Sequence, residues 1–277
     1  QDHGPRLRRQ YRLEPHVEAR KDGVQHRPKD ELTQTANMKT RKVLLAAFVC
    51  CTIGAANLFS QTNMNDSTKL KIKHIAKDFD VKKLTAGEWC KATETSVENY
   101  WSGAAAPRGR AFTARLLWSD TSLYVRFEAN QTEPLIISAT LDLTKKTLKL
   151  WDRDVCEIFI APNRGERNKY FEFEIAPTGE WIDLGIEVKP NERMTDWEYR
   201  SNMTSAAHID KDKVVMAIKI PFAALGKTPK PGDVWLGNLF RCVGKDPTRG
   251  YLAWQPTKTK EPAFHVPEAF GEFYFQK

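Results

Sequence analysis

The chain has 277 residues, of which 41% are hydrophobic and 28% charged, with a formal net charge of +8. That is ordinary globular composition, and it argues against a fibrous, wholly disordered or multiply membrane-spanning chain. The charge is uneven: residues 1–37 carry a net +2 and residues 38–60 a net +3, which leaves +3 for residues 61–277. A near-neutral remainder without a basic stripe gives no reason to expect nucleic acid or another polyanion as partner.

In chain order, residues 1–37 are polar, lack periodicity and do not begin with Met. They read as a non-native or upstream, disordered segment, the alternative being a basic arm. Residues 38–60, "MKTRKVLLAAFVCCTIGAANLFS", place Lys39, Arg41 and Lys42 ahead of an apolar run from Val43 to about Ala56. This is the pattern of a secretory signal peptide, and the run is shorter than the about 20 apolar residues of a comfortable membrane span. Cleavage after Ser60 is favoured over cleavage after Ala56. A lipid anchor at Cys50 or Cys51, or an uncleaved membrane anchor, are the alternatives. A secreted or periplasmic protein with no further membrane association is expected. Residues 61–277 then form one domain, read as a monomer. Of its cysteines, Cys156 and Cys242 lie in apolar runs and read as small buried hydrophobes, while Cys90 stands apart.

The remaining sequence is a succession of short β-like runs. They are Leu70–Ile75, Ala111–Trp118, Leu123–Asn130, Ile136–Leu141, Val155–Ala161, Tyr170–Ile175, Glu180–Glu187, Ala206–Ile209, Val214–Ile220, Val234–Val243, Tyr251–Gln255 and Glu272–Phe275. Turn chemistry separates them, as in "SDTS" at 119–122 and "TPKPGD" at 228–233. Many strands between turns predict an all-β fold, an antiparallel, jelly-roll-like β-sandwich with at most one or two short helical turns. The best helical candidate is the single turn "PFAAL" at 221–225.

Along Tyr170–Ile175, side-chain alternation puts Phe171, Phe173 and Ile175 on one face and Tyr170, Glu172 and Glu174 on the other. Val155–Ala161 is apolar on both faces except for Glu157, as in a central strand covered on both sides. A buried, unpaired carboxylate costs several kcal/mol, so Glu157 needs a partner or water. Either it pairs with Arg241 or Arg126, or it lies on the floor of a shallow cleft beside Glu172 and Glu174.

The sequence contains no GxSxG or HExxH motif, no Gly-rich phosphate loop and no CxxC spacing. The carboxylates Asp152, Asp154, Glu157, Glu172 and Glu174 could supply a glycosidase pair, but carboxylates are abundant and a non-enzymatic role is favoured. Two tryptophans stand at loop edges: Trp151 ahead of "DRD", and Trp254 in "YLAWQPTKTKEP". A flat ring at such an edge can stack on a sugar while carboxylates and an Arg grip its hydroxyls. Asp120, Asp142, Asp152 and Asp154 lie in or near loops where calcium ligands gather. Haem would need an axial pair, and Met203 with His208 reads better as part of a solvated loop.

The runs "LLWSDTSLYVRFE" (116–128), "LWDRDVCEIFIAP" (150–162), "KYFEFEIAPTGEWIDL" (169–184), "MAIKIPFAAL" (216–225), "GDVWLGNLFRC" (232–242) and "AFHVPEAFGEFYF" (263–275) follow one another in a familiar order. Together they resemble carbohydrate-binding module family 9 and its single-domain relatives, within the wider group of DOMON-like β-sandwiches, over about residues 70–277. The resemblance implies a sandwich that binds the end of an oligo- or polysaccharide in a cleft, often with structural calcium. It implies that Trp151 and Trp254 clamp the sugar. Glu157, six residues after Trp151, then matches an acidic sugar contact. Glu172, Glu174, Asn238 and Arg241 fall on the strands that supply further polar contacts, and Asp152 and Asp154 are candidate calcium ligands. Asn238 and Arg241 point to opposite faces on ideal alternation, so one of them is structural unless a bulge intervenes. A structural or protein-interaction sandwich, with the same tryptophans buried, is the alternative.

Overall fold

The structure, a computed structural model, describes residues 67–277. The expectations for residues 1–37 and for the signal peptide at 38–60 lie outside the described residues.

Thirteen strands are present among the described residues. They are β1 (Lys69–His74), β2 (Glu94–Val97), β3 (Phe112–Trp118), β4 (Ser122–Asn130), β5 (Val155–Ala161), β6 (Lys169–Ile175), β7 (Trp181–Lys189), β8 (Glu192–Asp196), β9 (Thr204–Ile209), β10 (Lys213–Pro221), β11 (Val234–Val243), β12 (Gly250–Ala253) and β13 (Gly271–Phe275). Helical geometry is confined to six single 3-10 turns, more than the one or two turns expected from sequence. They tighten loops, and Phe222–Leu225 is the turn that "PFAAL" predicts.

The strands form two layers. The first runs β8-β7-β6-β5-β11-β13-β1, with β12 also on β11; the second runs β1-β3-β4-β10-β9, with β2 also on β3. β1 belongs to both. Lys69–Ile72 pair with β13, whereas Lys73 and His74 pair with β3, both in parallel. A strand that changes sheets closes one corner of a sandwich, and it makes this sandwich mixed rather than purely antiparallel. Every other strand pair is antiparallel.

The main core lies between the layers. Cys156, Ile158 and Ile160 of β5 meet side chains such as Val125 and Phe127 of β4 there, as their alternation predicts. β11 threads this core between β5 and β13, and Gly237 is required at the crossing. A Cβ there would collide with the Phe159 carbonyl oxygen and the Phe273 ring.

The outer face of each layer is also roofed. Tyr124, which alternation alone assigns to the outside, is buried beneath Phe79 and Trp89. The outer face of the first layer carries a second apolar cluster, including Val155, Phe159, Tyr170, Leu184 and Phe240. Phe264 stacks on Phe240 (ring centroids 4.1 Å apart), and His265 lies 5.2 Å from Phe159. The segment after β12 therefore folds back across the first sheet.

Two strands were not foreseen, β2 ("ETSV") and β8 ("ERMTD"). Both are polar and pair along one side only, so neither needs the apolar alternation that marks an inner strand. Conversely, Ile136–Leu141 is not a strand. It has apolar residues but no partner, and Ile137 and Leu141 stay exposed.

Candidate functional site

The outer face of β5 and β6 holds the feature that distinguishes this protein. Glu157 pairs across the sheet with Glu174, and Glu172 lies two residues before Glu174 on the same face. One oxygen from each of the three carboxylates falls within a sphere where all lie within 4.8 Å of one another. Their residues are only 2% (Glu157), 4% (Glu172) and 0% (Glu174) exposed. They do not form the open floor expected from sequence, because the returning 264–270 segment and the Trp151 turn lie over the same face.

Hydrogen bonds do little to compensate. Glu157 Oε1 accepts from the Cys242 thiol at 3.5 Å. Both oxygens of Glu174 and Oε2 of Glu172 are buried without a donor. The ion pairs anticipated for Glu157 are not formed. Arg241 points into the space between the sheets, and Arg126 pairs with Glu128 at 3.0 Å. Burial, reinforced by the neighbouring Glu172, pushes the Glu157 carboxyl up to about 8. Burial, then the charges of Glu157 and Glu172, push Glu174 up as well, and burial raises Glu172.

His265 closes this group from above. Its Nδ1 lies 2.7 Å from the Tyr170 hydroxyl, and its Nε2 is 3.9 Å from Glu172 Oε2. Burial, with Arg193 nearby, holds the imidazole well below its usual range, so it is neutral near pH 7 and gives the carboxylates no charge. Arg193 and Arg249 act on the carboxylates only at longer range.

Trp151 lies at the rim, packed against the outer-face cluster, with its ring 6.1 Å from that of Trp197 and tilted 47° to it. Arg249 fixes the Trp151 turn by donating from Nη2 to the carbonyls of Trp151 (2.7 Å) and Arg153 (2.6 Å). Sequence reasoning missed Trp197, Arg249 and His265. Only His265 had a visible signal, its place in the aromatic "AFHVPEAF" run.

The other residues expected at the site are elsewhere. Trp254 packs against the core between the sheets, stacked 5.8 Å from Phe273, so the first sheet separates its packing from that of Trp151. Asn238 does share the outer face, but its side chain is consumed by the backbone. Nδ2 donates to the Gln255 carbonyl, and Oδ1 accepts from the Gln255 and Leu239 amides. It clamps the start of the returning segment to β11. Arg241 donates to the carbonyls of Arg110 and Asn130 (2.7 Å each) and to Gln131, which locks one sheet to the other.

Asp154 is buried with both oxygens filled, Oδ1 by the Gly244 amide and Oδ2 by Ile136 and Gln131. Asp152 is exposed in the neighbouring 3-10 turn. These two residues do not fit a calcium centre, since the oxygens of Asp154 are already committed to N–H donors.

The fold is a β-sandwich roofed on both outer faces. Residues 83–277 match the family described as carbohydrate family 9 binding domain-like, and the chain belongs to that family. Its fold is similar to that of a candidate carbohydrate-binding protein from Bacteroides uniformis ATCC 8492, with TM-score 0.61 and 15% identity, covering 75% of this chain and 99% of that one. It is also similar to a family 9 module from Caldicellulosiruptor kristjanssonii solved with cellotriose, with TM-score 0.53 and 16% identity, covering 75% of this chain and 93% of that one. A structure of a family 9 module from the same organism with glucose gives the same TM-score and identity. No curated protein matches the sequence.

Proposed function

We propose that this protein is an exported, non-catalytic saccharide-binding protein whose sugar stacks on Trp151 at the rim of the outer face of the first sheet. The observation that carries this reading is the half-buried Trp151 ring, held by Arg249, six residues ahead of Glu157 and beside a second indole, Trp197. Stacking on an aromatic face suits the apolar face of a pyranose. The exposed side chains of Asp152 and Arg193 can bond its hydroxyls. Family membership and the sugars bound by the two Caldicellulosiruptor structures support a saccharide as the ligand class. A hydrolytic reading is weaker, because its carboxylate pair would have to reach substrate and water, and Glu157, Glu172 and Glu174 are covered.

The test is calorimetric titration with glucose and cellotriose, after a glycan array has widened the panel. Trp151→Ala is expected to weaken binding at least tenfold, as the loss of one stacking ring would. Trp254→Ala is expected to lower stability and leave the affinity of the folded protein unchanged. Equal affinity in wild type and Trp151→Ala, or no bound saccharide at all, overturns the proposal. Export is checked separately: the N-terminus of the secreted protein should begin at Gln61.

A further inference from the structure

We propose that Glu157, Glu172 and Glu174 bind one hard divalent cation of the calcium class, buried between the first sheet and the segment that folds back over it. The proposal stands apart from the saccharide reading. It concerns what lies beneath the Trp151 rim rather than what stacks on it.

Two observations carry it. The first is the convergence of three carboxylates from adjacent strands, with an oxygen of each inside a 4.8 Å span. The second is the state of those oxygens. Both oxygens of the fully buried Glu174, and Oε2 of Glu172, have no donor. Among the described residues no Lys or Arg is paired with any of the three, and the one basic neighbour, His265, is 3.9 Å from Glu172. The rest of the fold does not treat buried acids this way. Asp183 has Lys146 at 2.7 Å and the Ser201 amide and hydroxyl, and both oxygens of Asp154 are filled. Glu172 and Glu174 can bond only each other and Glu157 only the Cys242 thiol, and a buried acidic triad given no counter-charge calls for a guest.

The donor set selects the guest. It is oxygen-only and anionic, which suits calcium or another hard cation rather than zinc. Calcium–oxygen distances of about 2.3–2.6 Å put opposed ligands about 4.6–5.2 Å apart, which accommodates the observed span. Magnesium, at about 2.0–2.1 Å, would require the carboxylates to close in. A divalent ion cancels two of three negative charges, and Arg193 and Arg249 act on the remainder at longer range. The His265 side, where that side chain keeps 24% of its surface, offers the way in. The Cys242 thiol, which donates to Glu157, is the soft group nearby.

The rival occupant is the proton, shared among the three carboxyls. The test uses the secreted chain stripped with chelator, then titrated with calcium, magnesium or zinc chloride and followed by thermal unfolding and calorimetry. Calcium is expected to bind one ion per chain and to raise Tm by about 5–10 °C at a hundredfold excess over Kd. Glu174→Gln should abolish that shift, and Trp151→Ala should retain it. Glu172→Gln serves if the first variant does not fold, and terbium luminescence displaced by calcium gives a readout independent of stability. An absence of any calcium shift in the stripped protein would leave the proton as the occupant and overturn the proposal. Zinc binding in place of calcium would overturn the choice of cation.

Discussion

Asp183 and the Glu157–Glu172–Glu174 group lie on the same sheet and are equally buried, yet the protein handles them in opposite ways. Asp183 faces the space between the sheets, where Lys146 and Ser201 surround it. The glutamates face outward beneath a roof of aromatic rings that brings no lysine or arginine into contact with them. The difference separates a carboxylate used as a structural rivet from carboxylates kept available. A rivet is recognised by the counter-charge set against it, and an available site by the lack of one.

The largest test of that contrast is Asp183→Asn. It leaves the Lys146 ammonium buried without a counter-charge, and a loss of about 3–5 kcal/mol in urea unfolding is expected. In metal-free protein Glu174→Gln should cost nothing by the same assay, because it removes no counter-charge from a buried partner. If the two variants are equally destabilised, the distinction between them fails. Next comes Asp154→Ala, which strips acceptors from the Gly244 and Ile136 amides. Its expected cost is about 1–3 kcal/mol, and hydrogen exchange should localise the loosening to the Trp151 turn and the end of β11.

The smallest effect is at Asp78, beside the second sheet. Burial opposes its charge, but hydrogen bonds from Lys219, Ser119 and Thr121 outweigh it and hold the carboxyl well below its usual range. A group depressed in the folded state contributes stability above its unfolded value, near 4, and loses it as pH falls through the folded one. Asp78→Asn should therefore flatten the acid limb of the stability profile below about pH 4, with little change near pH 7. Unchanged acid sensitivity in Asp78→Asn would show that other groups set that limb.

Much of the architecture is legible along the chain because alternation is local. Cys156, Ile158 and Ile160 reach the main core as their spacing implies, and Glu157 does share a face with Glu172 and Glu174. The polar edge strands β2 and β8 were not legible, since an edge needs no apolar code. The exposed Ile137 and Leu141 misled in the other direction, because apolar residues make a strand only when a partner strand is present.

The sequence by itself determined the all-β class and the face that Glu172 and Glu174 share, consequences of period-two geometry, and left Glu157 open between an ion pair and that same face. Only the tertiary structure decided what surrounds them. Whether Glu157 met Arg241 depended on which face of β11 that arginine took, and it took the inner one. Where Trp254 packed depended on the path of the chain after β12, and it stacks on Phe273. Whether the carboxylates stood open or covered depended on where residues 264–270 came to rest. Each of these is a contact between residues far apart in the chain, and local periodicity cannot encode such a contact.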